Sequence, residues 1–130
     1  MHEFLSLETP SSSSLIIRAG SEFEDGRIFG DGWSFDERCS FGSGCVFGRR
    51  CGFGEQCTFG EGCRFGDDCV FDNILEFGAG CTFGEGCVFD TNNTFGDGCI
   101  FGKDCEFSHS NRFGAGCKFG EGCTFDEIDD

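Results

Sequence analysis

The sequence predicts an all-β, single-domain solenoid: a triangular parallel β-helix of about six coils of 18 residues. Three observations predict it. Phenylalanine stands at position 23 and at every sixth residue onward to 125, without a miss. Cysteine stands two residues before Phe at twelve of the positions from 39 onward. A longer period of 18 lies over the period of six. Leu75, Asn93 and Asn111 replace Cys at that interval, and the residue after Phe reads Asp36, Gly54, Asp72, Asp90, Ser108, Asp126 in one register. In another register the third residue after Phe is always glycine, from Gly26 to Gly116.

A six-residue period fits neither a helix nor a coiled coil. It fits one short strand plus a corner, three to a coil. Alternation along a strand turns Cys and Phe inward and the residue between them outward. The outward set is polar in part (Ser40, Thr58, Arg64, Glu76, Thr82, Thr94, Glu106, Arg112, Lys118, Thr124) and apolar at Ile28, Val46, Val70, Val88 and Ile100. Corner glycines suit the positive φ angles of tight turns.

Taken along the chain, residues 1–20 are expected to form an N-terminal cap and a Ser-rich link, and 21–130 the helix. Open solenoid ends expose strand edges. Phe4, Leu5 and Leu7, or Leu15, Ile16 and Ile17, can cover the first coil, with Ser11–Ser14 as a flexible link. Arg27 and Trp33 stand in the Cys register of that coil, which marks it as an atypical capping coil. At the other end "FDEIDD" supplies charge against end-to-end stacking. The N-terminal stretch has no basic segment followed by a long apolar run, so a soluble protein in the cytoplasm (the host's, if phage-encoded) is expected.

The cysteines fall into columns: Cys45, Cys63, Cys81, Cys99, Cys117; Cys51, Cys69, Cys87, Cys105, Cys123; and Cys39, Cys57 before Leu75, Asn93 and Asn111. Column neighbours stack about 4.8 Å apart. A column of five cannot pair completely, and aligned Cβ vectors oppose disulfides. Zinc sites usually show shorter Cys spacings with His nearby, a pattern absent here. Reduced, structural cysteine packed beside Phe is expected, with no metal or cofactor.

The repeat resembles the hexapeptide-repeat family over residues 21–128. That family's pattern is an aliphatic residue, Gly, two variable residues, a small residue and a variable one. "FGEGCT", at 119–124, matches it with Phe for the aliphatic and Cys for the small residue. The resemblance implies a left-handed parallel β-helix. The uniform Cys-x-Phe core is more typical of pentapeptide-repeat proteins, but the spacing of six favours the triangular prism. Acyltransferases are the commonest enzymes of the hexapeptide family, and they use a histidine and a protruding loop between subunits. Here no insertion breaks the count of six, and His109 is the lone histidine of the helix, in a corner. No catalytic residues are expected: a filled prism has no cleft. Ice binding needs flat ranks of threonine, and Glu76 separates Thr58 from Thr94.

Function is therefore sought on the surface. The chain carries 24 acidic and 9 basic residues, a formal net charge of -15. That opposes direct binding to nucleic acid or an anionic membrane and admits a basic partner. Residues 21–130 carry 22 acidic and 8 basic side chains, net -14. Six coils make a rod of about 29 Å, or about 2 Å per net charge, near the about 1.7 Å of B-DNA. Pentapeptide-repeat proteins that look like DNA to gyrase are the analogy, on a related architecture. The reading is a non-enzymatic protein that binds and inhibits a basic or nucleic-acid-binding host protein by DNA mimicry, as an anti-defence factor of a phage or mobile element. The residues expected to meet the partner are Asp36, Asp72, Asp90 and Asp126, with Glu37, Glu55, Glu61, Asp67, Asp68, Glu85, Asp97 and Asp104. The rival is a structural, self-assembling protein. It would form a homodimer through Val70 and Val88, through Ile28 and Val46, or through Ile74 and Leu75.

Overall fold

The computed structural model describes residues 6–7 and 15–126, and every regular element among them is a short β-strand. The strands build three parallel sheets. Sheet A stacks Ser6–Leu7, Ile28–Phe29, Val46–Phe47, Arg64–Phe65, Thr82–Phe83, Ile100–Phe101 and Lys118–Phe119. Sheet B stacks Leu15–Ile17, Trp33–Phe35, Gly52–Phe53, Val70–Phe71, Val88–Phe89, Glu106–Phe107 and Thr124–Phe125. Sheet C runs from Glu22–Phe23 through Ser40–Phe41, Thr58–Phe59, Glu76–Phe77 and Thr94–Phe95 to Arg112–Phe113. From Leu15 onward each strand pairs with the strand 18 residues away, in register, so Phe65 lies between Phe47 and Phe83; Ser6–Leu7 pairs at a separation of 22. The chain visits C, A and B in turn, and one circuit is one coil of a β-solenoid.

The period of six produces this because Phe and Cys fill one prism. Phe35 to Phe107 are buried, and ten of the twelve cysteines are fully so. Rings stack vertically and meet edge to face around the coil. Phe65 lies 4.9 Å from Phe83 at 4° and 5.2 Å from Phe71 at 81°. Each ring thus satisfies both preferred aromatic geometries, adding about 0.5–1.5 kcal/mol per pair to its burial. The thiols donate to carbonyls of the coil before, as Cys63 does to Gly42 O at 3.3 Å.

The stack reaches back past residue 20. Leu15–Ile17 pairs with Trp33–Phe35, and Ser6–Leu7 with Ile28–Phe29. Trp33 is buried against Phe29, and the Arg27 guanidinium lies 5.3 Å from the Phe23 ring centre. Phe4, Leu5, Ser11–Ser14 and the last four residues lie outside the described residues.

Most corner glycines are of two kinds. Gly44, Gly62, Gly80 and Gly98 hold φ near +70° in open corners, as the pattern implies. The glycine directly after Phe has another reason: a Cβ on Gly60 would lie 2.7 Å from Ser43 N, one coil below. Eight corners also hold a non-glycine residue at positive φ, Ile74 at +62° among them.

Candidate functional site: the acidic corner between sheets B and C

The corner that follows sheet B carries Asp36, Gly54, Asp72, Asp90, Ser108 and Asp126 in one line. Each continues the ladder of its strand: Asp72 N–H donates to Phe53 O at 3.1 Å and Asp90 N–H to Phe71 O at 2.9 Å. Successive residues of the line are therefore held one coil apart. Asp36 turns one carboxylate oxygen back to the N–H of Glu37 (2.7 Å), and Asp72 does the same to Asn73 (2.8 Å). Asp126 lies 3.5 Å from His109 Nδ1, so this histidine sits on an exposed corner beside a carboxylate.

Behind the line runs a buried amide ladder. Asn111 Oδ1 accepts the N–H of Asn93 at 3.0 Å, and Asn93 Oδ1 accepts that of Leu75 at 2.8 Å. Their amide nitrogens donate to the carbonyls of Ser108 and Asp90. These bonds fix the backbone that carries the acids. Leu75 belongs to this buried column and is 0 % exposed, so it is no part of a surface patch; of that pair only Ile74 faces solvent. The Cys register points inward, and Leu75 occupies it.

The twelve acids expected to meet a partner do not share one face. Asp36, Glu37, Glu55, Asp72, Asp90 and Asp126 line the corner between sheets B and C. Asp67, Asp68, Glu85 and Asp104 stand on the corner between A and B, and Glu61 and Asp97 on that between C and A. Two of them also hold the coils together. Asp67 Oδ1 accepts Glu85 N–H, and Asp97 Oδ1 accepts Ala115 N–H, both at 2.9 Å and across one coil. Asp25 and Asp31 do the same for Ser43 and Arg49. In all four the sequence signal is Asp two places after Phe, with glycine at the position 17 residues on. A Cβ on Gly42, Gly48, Gly84 or Gly114 would collide with that carboxylate.

A shallow groove of about 510 Å³ lies beside the line, on sheet B. Ser34, Gly52, Val70, Val88, Asp72 and Asp90 are among the residues that line it. Val70 and Val88 are in-register neighbours in this sheet, and Ile28 and Val46 in sheet A. Gly52 was not expected here; it faces outward where other strands carry a side chain, and its missing side chain deepens the groove.

The family of RNA-binding, Nab2-type zinc fingers has a model that matches the chain at residues 45–72, 77–90, 94–109 and 112–126. No curated protein and no solved structure matches it. A zinc finger needs four ligands converging on one tetrahedral centre. The matched segments hold one histidine, His109, and the cysteines that share its segment, 94–109, are Cys99 and Cys105. Cys99 leads into sheet A and Cys105 into sheet B, so they stand on different sides of the prism. Both are fully buried and donate to Gly78 O and Gly84 O, while His109 is exposed beside Asp126. Among the described residues no three Cys, His, Asp or Glu side chains are placed to hold a metal ion. The residues present do not fit a zinc finger.

Proposed function

By sequence the chain belongs to the family of RNA-binding, Nab2-type zinc fingers, and we propose that it acts through its surface charge instead of a finger. It is a non-enzymatic, acidic β-solenoid that binds and inhibits a basic, nucleic-acid-handling protein by presenting a DNA-like density of negative charge. Its relation to the hexapeptide-repeat β-helices, and the left-handed coil that goes with it, belong to the same proposal. A phage or mobile-element setting, in which such an inhibitor blocks a host defence, suits a small acidic protein without an active site.

One observation carries the reading. The acids stand at corners of a stiff stack, Asp72 and Asp90 one coil apart and Asp36 and Asp126 two coils beyond them, with several carboxylates oriented by backbone N–H groups. Side chains preset this way lose little freedom on binding. RNA binding by this chain is opposed by its net charge of -15, since phosphate contacts need cations.

Reversing Asp72 and Asp90 to Lys together tests the proposal. Partner binding is lost while the β-sheet circular dichroism is kept. Unchanged binding would remove the corner from the account. The self-assembly rival rests on exposed Val70 and Val88 and is read by light scattering of Val88→Glu.

A further inference from the structure

Sheet B is the face on which apolar surface and unpaired acid adjoin. Its outward rank reads Ser34, Gly52, Val70, Val88, with no charge until Glu106. Val70 is 53 % exposed and Val88 37 %. Sheet A breaks its apolar rank with Arg64 and Lys118, and sheet C carries Glu22, Glu76 and Arg112. The neighbouring corners differ in the same sense. Arg49, Arg50 and Lys103 stand among the acids between A and B, whereas the B–C corner carries, among the described residues, only Arg18 and Arg38, both at the N-terminal end of the stack and away from Asp72 and Asp90. Asp72 and Asp90 form no ion pair with a described residue.

We propose that this groove is the contact surface for a basic segment of the partner, whose lysine or arginine stems lie on Val70 and Val88 and whose charged heads meet Asp72 and Asp90. The proposal rests on the acidic-ligand reading above and names its surface. Long basic side chains are apolar along the stem and charged at the tip, which is the order of surfaces found across this groove. The valines exclude water beside the carboxylates, so each ion pair formed there is stronger than one on an open corner. DNA offers charge without such a floor, so a partner gains contacts here that nucleic acid does not supply. A second copy of this chain is a poor occupant, because it brings the same acids and a net charge of -15.

The test uses the full chain and fluorescence anisotropy, at near-physiological salt, with an alanine-based helical peptide carrying arginine at every fourth position. Three double variants are compared after circular dichroism confirms their fold: Val70→Ser with Val88→Ser, Asp72→Asn with Asp90→Asn, and Glu22→Gln with Glu76→Gln on sheet C. The first two are expected to weaken binding tenfold or more each, and the third less than threefold. Equal loss from the two acid pairs with none from the valine pair would overturn the groove and leave the acidic reading standing. No binding by the unaltered chain would overturn both. A dimer that the valine pair converts to monomer would give the groove to a second copy and overturn the proposal.

Discussion

Asn93 reaches one coil back: its side-chain oxygen accepts the N–H of Leu75 at 2.8 Å, while its amide nitrogen donates to Asp90 O at 3.1 Å. Both groups lie where water does not reach, and the acidic line is built on the backbone they fix. Asn93→Ala leaves a donor and an acceptor without partners, at about 1–3 kcal/mol each. The midpoint of chemical denaturation is expected to fall accordingly. Thr94→Ala, on an exposed outward position, is expected to change it little.

The two kinds of glycine respond differently to the same change. A Cβ on Gly96 would lie 2.7 Å from Ala79 N, and neither backbone can give way without parting two coils. Gly98 has φ +71° and open space around it. Gly98→Ala costs about 1–2 kcal/mol, the left-handed penalty alone. Gly96→Ala is expected to cost more, by denaturant titration of both variants. The reverse order would contradict the close stacking of coils.

Ile74 is a β-branched residue held at φ +62° on an exposed corner. Asparagine tolerates this conformation far better. Ile74→Asn is expected to raise stability by about 1 kcal/mol. No gain would mean that Ile74 makes a contact that offsets its strain.

The four thiols whose shift is set chiefly by burial give a pH dependence with a definite sign. Burial raises Cys39, Cys117 and Cys123, and pushes Cys57 up to about 12 from 9.0. The unfolded chain therefore releases thiol protons first as pH rises. Stability is kept below about pH 9 and falls as pH rises towards 12. Denaturation midpoints at pH 7, 9 and 10.5 check this. Under native conditions a thiol reagent is expected to reach Cys117 and Cys123, which are half-buried, and to reach all 12 cysteines after unfolding. A chelator is expected to leave the thermal midpoint unchanged. A zinc-dependent fold would melt on chelation.

Much of the fold was legible because Phe, Cys and the period of 18 are side-chain statements about one interior. Phe65 must meet Phe47 and Phe83 once the coil is 18 residues long. What stayed hidden depends on contacts between coils. The bond from Asp67 to Glu85 N–H joins residues 18 apart, and no local pattern distinguishes it from a solvated acid. The close approach at Gly60 looks, in sequence, like any turn glycine. The acids were legible as a charge density but not as a site, because residues six apart, such as Asp67 and Asn73, fall on different corners. Cys99, Cys105 and His109, which share one segment of the zinc-finger match, are split between two sides of the prism and a corner, a separation that only the coil reveals.

The most direct measurement of the central claim is affinity capture by the tagged full chain from host lysate, run with and without excess duplex DNA and beside the Asp72→Lys, Asp90→Lys variant. The account predicts a nucleic-acid-binding protein that duplex DNA displaces and that the variant does not retain. Capture of such a protein by both forms alike, or capture that DNA leaves untouched, would contradict it.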